Sequence, residues 1–425
     1  MSIDSTLRGF RLREFNRNVQ SFFYYGILIN AGMALFSLLF NLYLLRLSYQ
    51  EDFIGLVASM APLATGLLAL PVGMLSDRFG RKPFLLASGL LLAISQLGAC
   101  LMTTPMALLA FSFIGGIATS FIWVNHVPFL SDNAHSSRRA EALVLWSALQ
   151  VAIRMLLSLA GGFMPGVMAY FIGASTEMPE PFRYSLLLGA LCSIVSILPL
   201  MRIPGHQSGH QRVTSTTNDH DAPDTPEPIP WRVFTGIATL SGTRGFSMGL
   251  TYPFFNVFFE EELHVGPAII GTIFFFSQLV GLPATFSAPA LVRRFGATLT
   301  ILPTRIIGGC ALGLMGTFIN LPVAISMFLL SRLAEVVDNP SDQYFSTQIL
   351  PRRYWARIQG FRVCGFQIFN FAGSLLGGVL ILDYGYWAAF SLACVSRVAS
   401  GFIMALFFGL RPAGKATHRT EDGAD

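Results

Sequence analysis

Gly73-Met-Leu-Ser-Asp-Arg-Phe-Gly-Arg-Lys82 is a short charged turn between two long apolar runs, 53 to 75 and 83 to 103. Each run holds about 20 residues, the length a helix needs to cross a bilayer, so the turn reads as a loop at a membrane face. An echo of it, Pro289-Ala-Leu-Val-Arg-Arg-Phe-Gly296, closes another apolar run, 266 to 292. Leu75, Arg78, Phe79 and Gly80 recur as Leu291, Arg294, Phe295 and Gly296, and the same shift of 216 residues carries Gly161-Gly162 onto Gly377-Gly378. Two unrelated segments that share one shift argue for an internal duplication.

Working outward from the turn, apolar runs recur along the chain and predict helices over 20–46, 53–75, 83–103, 106–131, 140–172, 183–203, 232–259, 266–292, 297–318, 321–347, 356–382 and 384–410. The expected fold is an all-α membrane protein: twelve transmembrane helices in two pseudo-symmetric six-helix bundles, 1–203 and 231–425. Composition supports this, since 53% of the 425 residues are hydrophobic and 12% charged, about half the charge of a soluble protein. A soluble core is thereby excluded. Residues 204–230, rich in Pro, Ser, Thr, Asp and His, cannot bury enough apolar surface to fold and are expected to form a linker. His206, His210 and His220 within it lack companion ligands for a metal tract.

The formal charge of +5 is distributed by topology. Arg78, Arg81 and Lys82, then Arg138 and Arg139, Arg293 and Arg294, and Arg352, Arg353 and Arg357 occupy one alternate set of connections. Glu51 and Asp52, Glu177 and Glu180, and Glu260, Glu261 and Glu262 occupy the other. This positive-inside pattern predicts a multi-pass inner-membrane protein with both termini and the linker in the cytoplasm, and the basic balance needs no nucleic acid. The first apolar segment, Ser21 to Leu45, follows Arg8, Arg11, Arg13 and Arg17 as a signal peptide would, but it is too long and lacks a small-residue cleavage site. A retained helix is expected. Cys100, Cys192, Cys310, Cys364 and Cys394 show neither metal-ligand spacing nor a disulfide framework and read as reduced packing residues.

The 73–82 stretch closely resembles the major facilitator signature, G-x-L-x-D-R-x-G-R-K, with every signature position filled. Gly73 permits close helix approach and Gly80 a tight turn, while Arg78, Arg81 and Lys82 anchor the loop on the cytoplasmic side. The resemblance implies a transporter and no enzyme, with Gly73, Asp77, Arg78, Gly80, Arg81 and Lys82 forming a conformational latch between the halves; a monomer is expected, and the lack of a nucleotide-binding loop makes the expected transport secondary. The second copy departs from the pattern: Arg293 stands at the Asp77 position, and Ala297 and Thr298 replace the basic pair. Drug antiporters usually carry Gly-Pro followed by Gly-Gly in the fifth helix; Ala160-Gly-Gly-Phe-Met-Pro-Gly166 does not match.

Ionisable residues inside apolar spans usually face a bundle interior or a wet path. Arg332, Glu335, Asp338 and Asp342 fall within one broad face of the 321–347 helix, and crowded carboxylates in a low dielectric can load and release a proton. A purely structural Arg332–Glu335 pair is the competing reading. Asn339-Pro340 is expected to interrupt this helix and free carbonyls. In the first half Asn125-His126-Val-Pro128 occupies the equivalent place, 212 residues earlier for both His126 with Asp338 and Pro128 with Pro340. Arg154 and Arg244 are the other deep charges, able to hold an anionic group or to neutralise the carboxylates. Tyr252, Phe254, Phe255, Phe258, Phe274, Phe275 and Phe276 can line an organic-solute cavity or face lipid.

No nucleotide-binding loop, zinc signature or nucleophile elbow is present, and no cofactor is expected. These residues predict a proton-coupled carrier of a small organic solute, with protons and the lipid bilayer as partners. A divalent cation held by Glu335, Asp338, Asp342 and His126 is the alternative cargo. A membrane sensor is disfavoured by the lack of a sizeable soluble domain.

Overall fold

The computed structural model describes residues 15–203, 231–349 and 355–408. The predicted linker 204–230, with its three histidines, lies outside the described residues, as do Arg352 and Arg353.

The chain divides into two compact units, residues 1–49 with 60–235 and residues 50–59 with 236–425. In the first unit α1 (Arg17–Arg46), α2 (Glu51–Phe79), α3 (Arg81–Leu101), α4 (Pro105–Asn133), α5 (Arg139–Ile172) and α6 (Pro179–Val195, continued by a helical turn over Ile197–Met201) follow in sequence; the first residues of α2 group with the second unit. Asn16 caps α1, its side-chain oxygen accepting from the Val19 amide at 2.9 Å, which satisfies one of the orphan donors of the first turn. Helix α1 packs on α5 and α6, and α3 on α4. Phe22 lies at the centre, its ring centroid 4.7 Å from Trp146 and 4.9 Å from Phe129. A Cβ on Gly26 would stand 2.1 Å from the Trp146 ring, so glycine is what lets α1 meet α5 here.

The second unit holds α7 (Trp231–Thr251, its residues 231–235 grouping with the first unit), a 3-10 turn (Tyr252–Phe254), α8 (Phe255–Glu261), α9 (Pro267–Phe295), α10 (Ala297–Thr317), α11 (Leu321–Ile349), α12 (Trp355–Tyr384) and α13 (Tyr386–Phe408). Helix α10 is the hub, packing against α11 and α13. Helices α7 and α12 touch backbone to backbone: a Cβ on Gly245 would lie 2.1 Å from the Phe366 carbonyl oxygen, and one on Gly373 2.3 Å from that of Phe246.

Ten helices among the described residues are long and apolar enough to cross a membrane. Two of the twelve expected segments fall outside that set, and both have a visible reason. Residues 231–261 are broken by the 3-10 turn, and 321–349 carry Arg332, Glu335, Asp338 and Asp342. Large apolar side chains such as Met74, Met106, Tyr170, Phe171 and Leu406 are more than 70% exposed, an arrangement that water would penalise and a bilayer does not.

The duplicated turn is legible in the backbone. Gly80 and Gly296 both have φ 87° and ψ 158°, a conformation glycine adopts readily and other residues rarely do. The expected interruption at Asn339-Pro340 is not made. Helix α11 runs unbroken through Pro340, and α4 through Pro128, since neighbouring groups can absorb one lost N–H in a spanning helix. The break falls instead at Tyr252-Pro253-Phe254. The cysteines are free thiols; Cys100 is buried as expected, whereas Cys310 is exposed.

Candidate functional site

In the first unit the turn after α2 is held by charges. Arg81 places Nε 3.1 Å from Asp132 Oδ2 and Nη2 3.4 Å from Asp77 Oδ1, and Lys82 donates to the Ile203 carbonyl. Arg78 lies over the Phe79 ring at 5.5 Å. Gly73 does not make the close approach expected of it: the nearest atom to a Cβ there is Val124 Cγ1 at 3.8 Å, an ordinary contact.

Deeper in that unit, Asn125 is 1% exposed and donates to the Phe121 carbonyl at 2.9 Å, while its buried Oδ1 has no hydrogen bond among the described residues. A buried acceptor without a partner is uncommon and invites a water or a solute group. His126 sits 3.1 Å from the Ile122 carbonyl through Nδ1, edge-on to Trp123 and 5.9 Å from the Trp146 ring. Arg154 is exposed and lies along its own helix, donating to the Gln150 carbonyl at 3.3 Å.

The second unit assembles the main cluster around α11. Asp338, 1% exposed, receives Arg305 Nε at 3.0 Å and faces Arg244 Nε at 3.8 Å. Asp342 takes Arg305 Nη2 at 3.2 Å, Arg244 Nη1 at 3.7 Å and a short contact from Arg362. Arg305 also donates to Ser400 Oγ at 2.7 Å. One turn back on α11, Glu335 pairs with Arg332 at 2.9 Å and accepts from the Tyr252 hydroxyl, which lies 2.7 and 2.8 Å from its two oxygens. Arg332 in turn stands 4.7 Å over the Tyr252 ring. The break after α7 is what brings that tyrosine into the cluster.

Pairing of each carboxylate with guanidinium groups therefore governs this site. Three carboxylates in a low dielectric would repel one another, and guanidinium groups relieve that repulsion with directional hydrogen bonds. The pairs differ in access: Arg305 is 1% exposed, whereas Arg244 and Arg332 retain 18% each. Arg244 also makes the longest contacts, which marks it as the partner most easily drawn away.

Sequence reasoning put Arg332, Glu335, Asp338 and Asp342 on one helical face and left Arg244 as either an anion holder or a neutraliser of these carboxylates; the structure places Arg244 beside Asp338 and Asp342 and Arg332 beside Glu335. It missed Arg305, Arg362 and Arg397, each a single charge in an apolar run and each at most 8% exposed. That signal was available, because an arginine deep in a span is as informative as a carboxylate. The aromatic set divides. Phe254, Phe255 and Phe258 are core residues, Phe255 packing at 5.0 Å on Phe328 and Phe258 at 5.3 Å on Phe390. Phe274 stacks on Phe328 at 5.2 Å, and Phe276 is 48% exposed. Among the described residues no three His, Cys, Asp or Glu side chains converge to hold a metal ion, and the carboxylates offered to one are already met by arginines.

A family model described as Major Facilitator Superfamily matches residues 22–331 and 237–424. The chain is similar to the inner membrane transport protein YnfM of Escherichia coli K12, 28% identical over 63% of each chain. It is also similar to MJ1560 of Methanocaldococcus jannaschii, an uncharacterised transporter of the same type, 26% identical over 35% of this chain and 36% of that protein. The chain thus spans from about a third to under two thirds of the length of these curated relatives. Two solved structures share the fold: the nucleoside transporter NupG (TM-score 0.72, 15% identity, 92% of this chain and 99% of that one) and a D-xylose–proton symporter (TM-score 0.71, 15% identity, 93% and 98%).

Proposed function

The chain belongs to the major facilitator superfamily of transporters, and we propose that it moves a small organic solute across the inner membrane by alternating access, coupled to protons through Asp338. The observation that carries this reading is the unequal grip on Asp338: an enclosed Arg305 at 3.0 Å on one oxygen and a looser, more accessible Arg244 at 3.8 Å on the other. While both guanidinium groups are engaged, each carboxylate oxygen of Asp338 faces a cation. A solute that draws Arg244 away leaves Asp338 under-compensated, and a proton then restores local balance. By linkage the two events assist each other, so solute and proton load together. Taken by itself, the first unit offers Asn125, whose Oδ1 has no hydrogen bond among the described residues, as its own polar group for a solute. The D-xylose–proton symporter lends support only by showing that this fold can house proton coupling.

Asp338→Asn tests the assignment. In proteoliposomes the variant is expected to lose accumulation driven by a pH gradient, with the internal-to-external solute ratio falling to near unity, while solute exchange survives. Full pH-driven accumulation would make Asp338 structural. Glu335→Gln is the comparison: removing half of the Arg332 pair should lower yield and thermal stability more than coupling.

The positive-inside bias orients both termini and the 73–82 turn toward the cytoplasm, where Asp77 and Arg81 act as latch residues. Asp77 is 72% exposed, and exposed ion pairs contribute about 0–1 kcal/mol, so Asp77→Asn should fold normally. Its expected effect is slower transport at nearly unchanged solute affinity. Weakened solute binding with wild-type rates of interconversion would sink the latch role.

A further inference from the structure

The cluster around α11 is not neutral. Among the described residues five arginines, Arg244, Arg305, Arg332, Arg362 and Arg397, surround three carboxylates, Glu335, Asp338 and Asp342, which leaves a surplus of two positive charges. Four of the five arginines contact a carboxylate directly. Arg397 does not.

Arg397 is 7% exposed, and among the described residues it makes no hydrogen bond or ion pair; Glu335, Asp338, Arg244 and Arg305 act on it through space. Its guanidinium lies on α10 at Gly308, where a Cβ would stand 3.0 Å from Cζ and 3.1 Å from Nη2. Glycine at that position is therefore what seats the group against the helix. An arginine keeps its charge in any protein environment and carries five donors. Burying it beside a charge surplus and without a contacting anion is unfavourable. Such a cost is the mark of a position kept for binding rather than for stability.

We infer that Arg397 and the loosely held Arg244 form an anion-binding subsite, and that the solute carried is an organic anion whose carboxylate or phosphate oxygens these guanidinium groups receive. This rests on the carrier reading above and names its substrate class. The planar fork of a guanidinium matches such oxygens two at a time, and up to two negative charges on the solute would balance the cluster. Neutral solutes would leave the surplus standing, and organic cations would add to it.

The test is ligand-induced stabilisation of the purified full-length chain, read as a melting shift, with succinate, lactate and glycerol 3-phosphate as probes. Succinamide, tetraethylammonium and chloride at matched ionic strength serve as controls. At least one oxyanion is expected to give a saturable shift, absent with the controls, and Arg397→Gln is expected to weaken its apparent affinity by roughly tenfold or more. Arg397→Lys, which keeps the charge but loses the fork, should retain part of it. Without ligand, Arg397→Gln should melt at or above the wild-type temperature, because it removes an uncompensated buried charge. The inference is overturned if no oxyanion gives a saturable shift, if the shift is unchanged in Arg397→Gln, or if the ligand-free variant is strongly destabilised. That last result would make Arg397 a structural neutraliser of the carboxylates. Failure of the carrier reading is separable, since it shows as lost pH dependence of flux while oxyanion binding and its Arg397 dependence persist.

Discussion

Arg305→Met should be among the most damaging single substitutions in the second unit, lowering stability by about 3–5 kcal/mol. Arg305 is 1% exposed and joins three helices: it meets Asp338 and Asp342 on α11 at 3.0 and 3.2 Å and Ser400 on α13 at 2.7 Å, from its own place on α10. Methionine fills similar space but removes the charge, so two buried carboxylates are left to Arg244, whose contacts are long, and to Arg362, which contacts Asp342. Yield and melting temperature in detergent should both fall sharply. Combining Arg305→Met with Asp338→Asn should recover part of the loss, since the second change removes a stranded charge, and the non-additivity measures the coupling. If Arg305→Met melts as wild type, the buried pairs carry no net stability, and the contrast drawn with Arg397 disappears.

That contrast explains which parts of the molecule the sequence discloses. Apolar run length and charge placement were enough for the helices, because lipid demands internally satisfied backbone and so allows few alternatives. The 73–82 turn and its echo were also readable, because Gly80 and Gly296 serve the same positive-φ geometry. The face shared by Glu335, Asp338 and Asp342 follows from helical spacing. Their partners do not, since Arg305 precedes Asp338 by 33 residues and Ser400 by 95. Such pairing is decided by how α10, α11 and α13 pack, which no local period encodes. The helix break was misplaced for a related reason. Proline alone does not open a spanning helix; at Tyr252-Pro253-Phe254 the 3-10 turn also brings the tyrosine hydroxyl onto Glu335. The phenylalanine runs were ambiguous between cavity and lipid because both surroundings accept them. Packing put Phe254, Phe255 and Phe258 in neither, but in the core.

The second unit should also loosen at one end as pH rises through neutrality. Glu261 ends α8, just past the apolar span 232–259, and is pushed up to about 7, first by burial and then by the hydrogen bond and charge of Glu51 at the start of α2. Glu260 adds to the rise; the Tyr386 hydroxyl, donating to Glu261 Oε2 at 2.9 Å, opposes it. Residues 51 to 55 pack tightly at this end, with a Cβ on Gly55 coming within 2.5 Å of the Ser374 carbonyl and one on Gly378 within 2.4 Å of that of Glu51. With the folded value above the ordinary glutamate value, the folded form binds the proton more tightly. The contribution to stability is then full below about pH 4.5 and lost as pH climbs through about 7. Above that, Glu261 and Glu51 face each other as anions, and the start of α2 should detach more readily. Hydrogen exchange of amides 51–59, corrected for the intrinsic rate, should therefore accelerate between pH 5.5 and 8 in the wild type. In Glu261→Gln, which keeps the size and cannot ionise, the rate should stay flat across the same range. Equal pH slopes in the two proteins would show that the contact between α2 and α8 does not depend on a proton at Glu261.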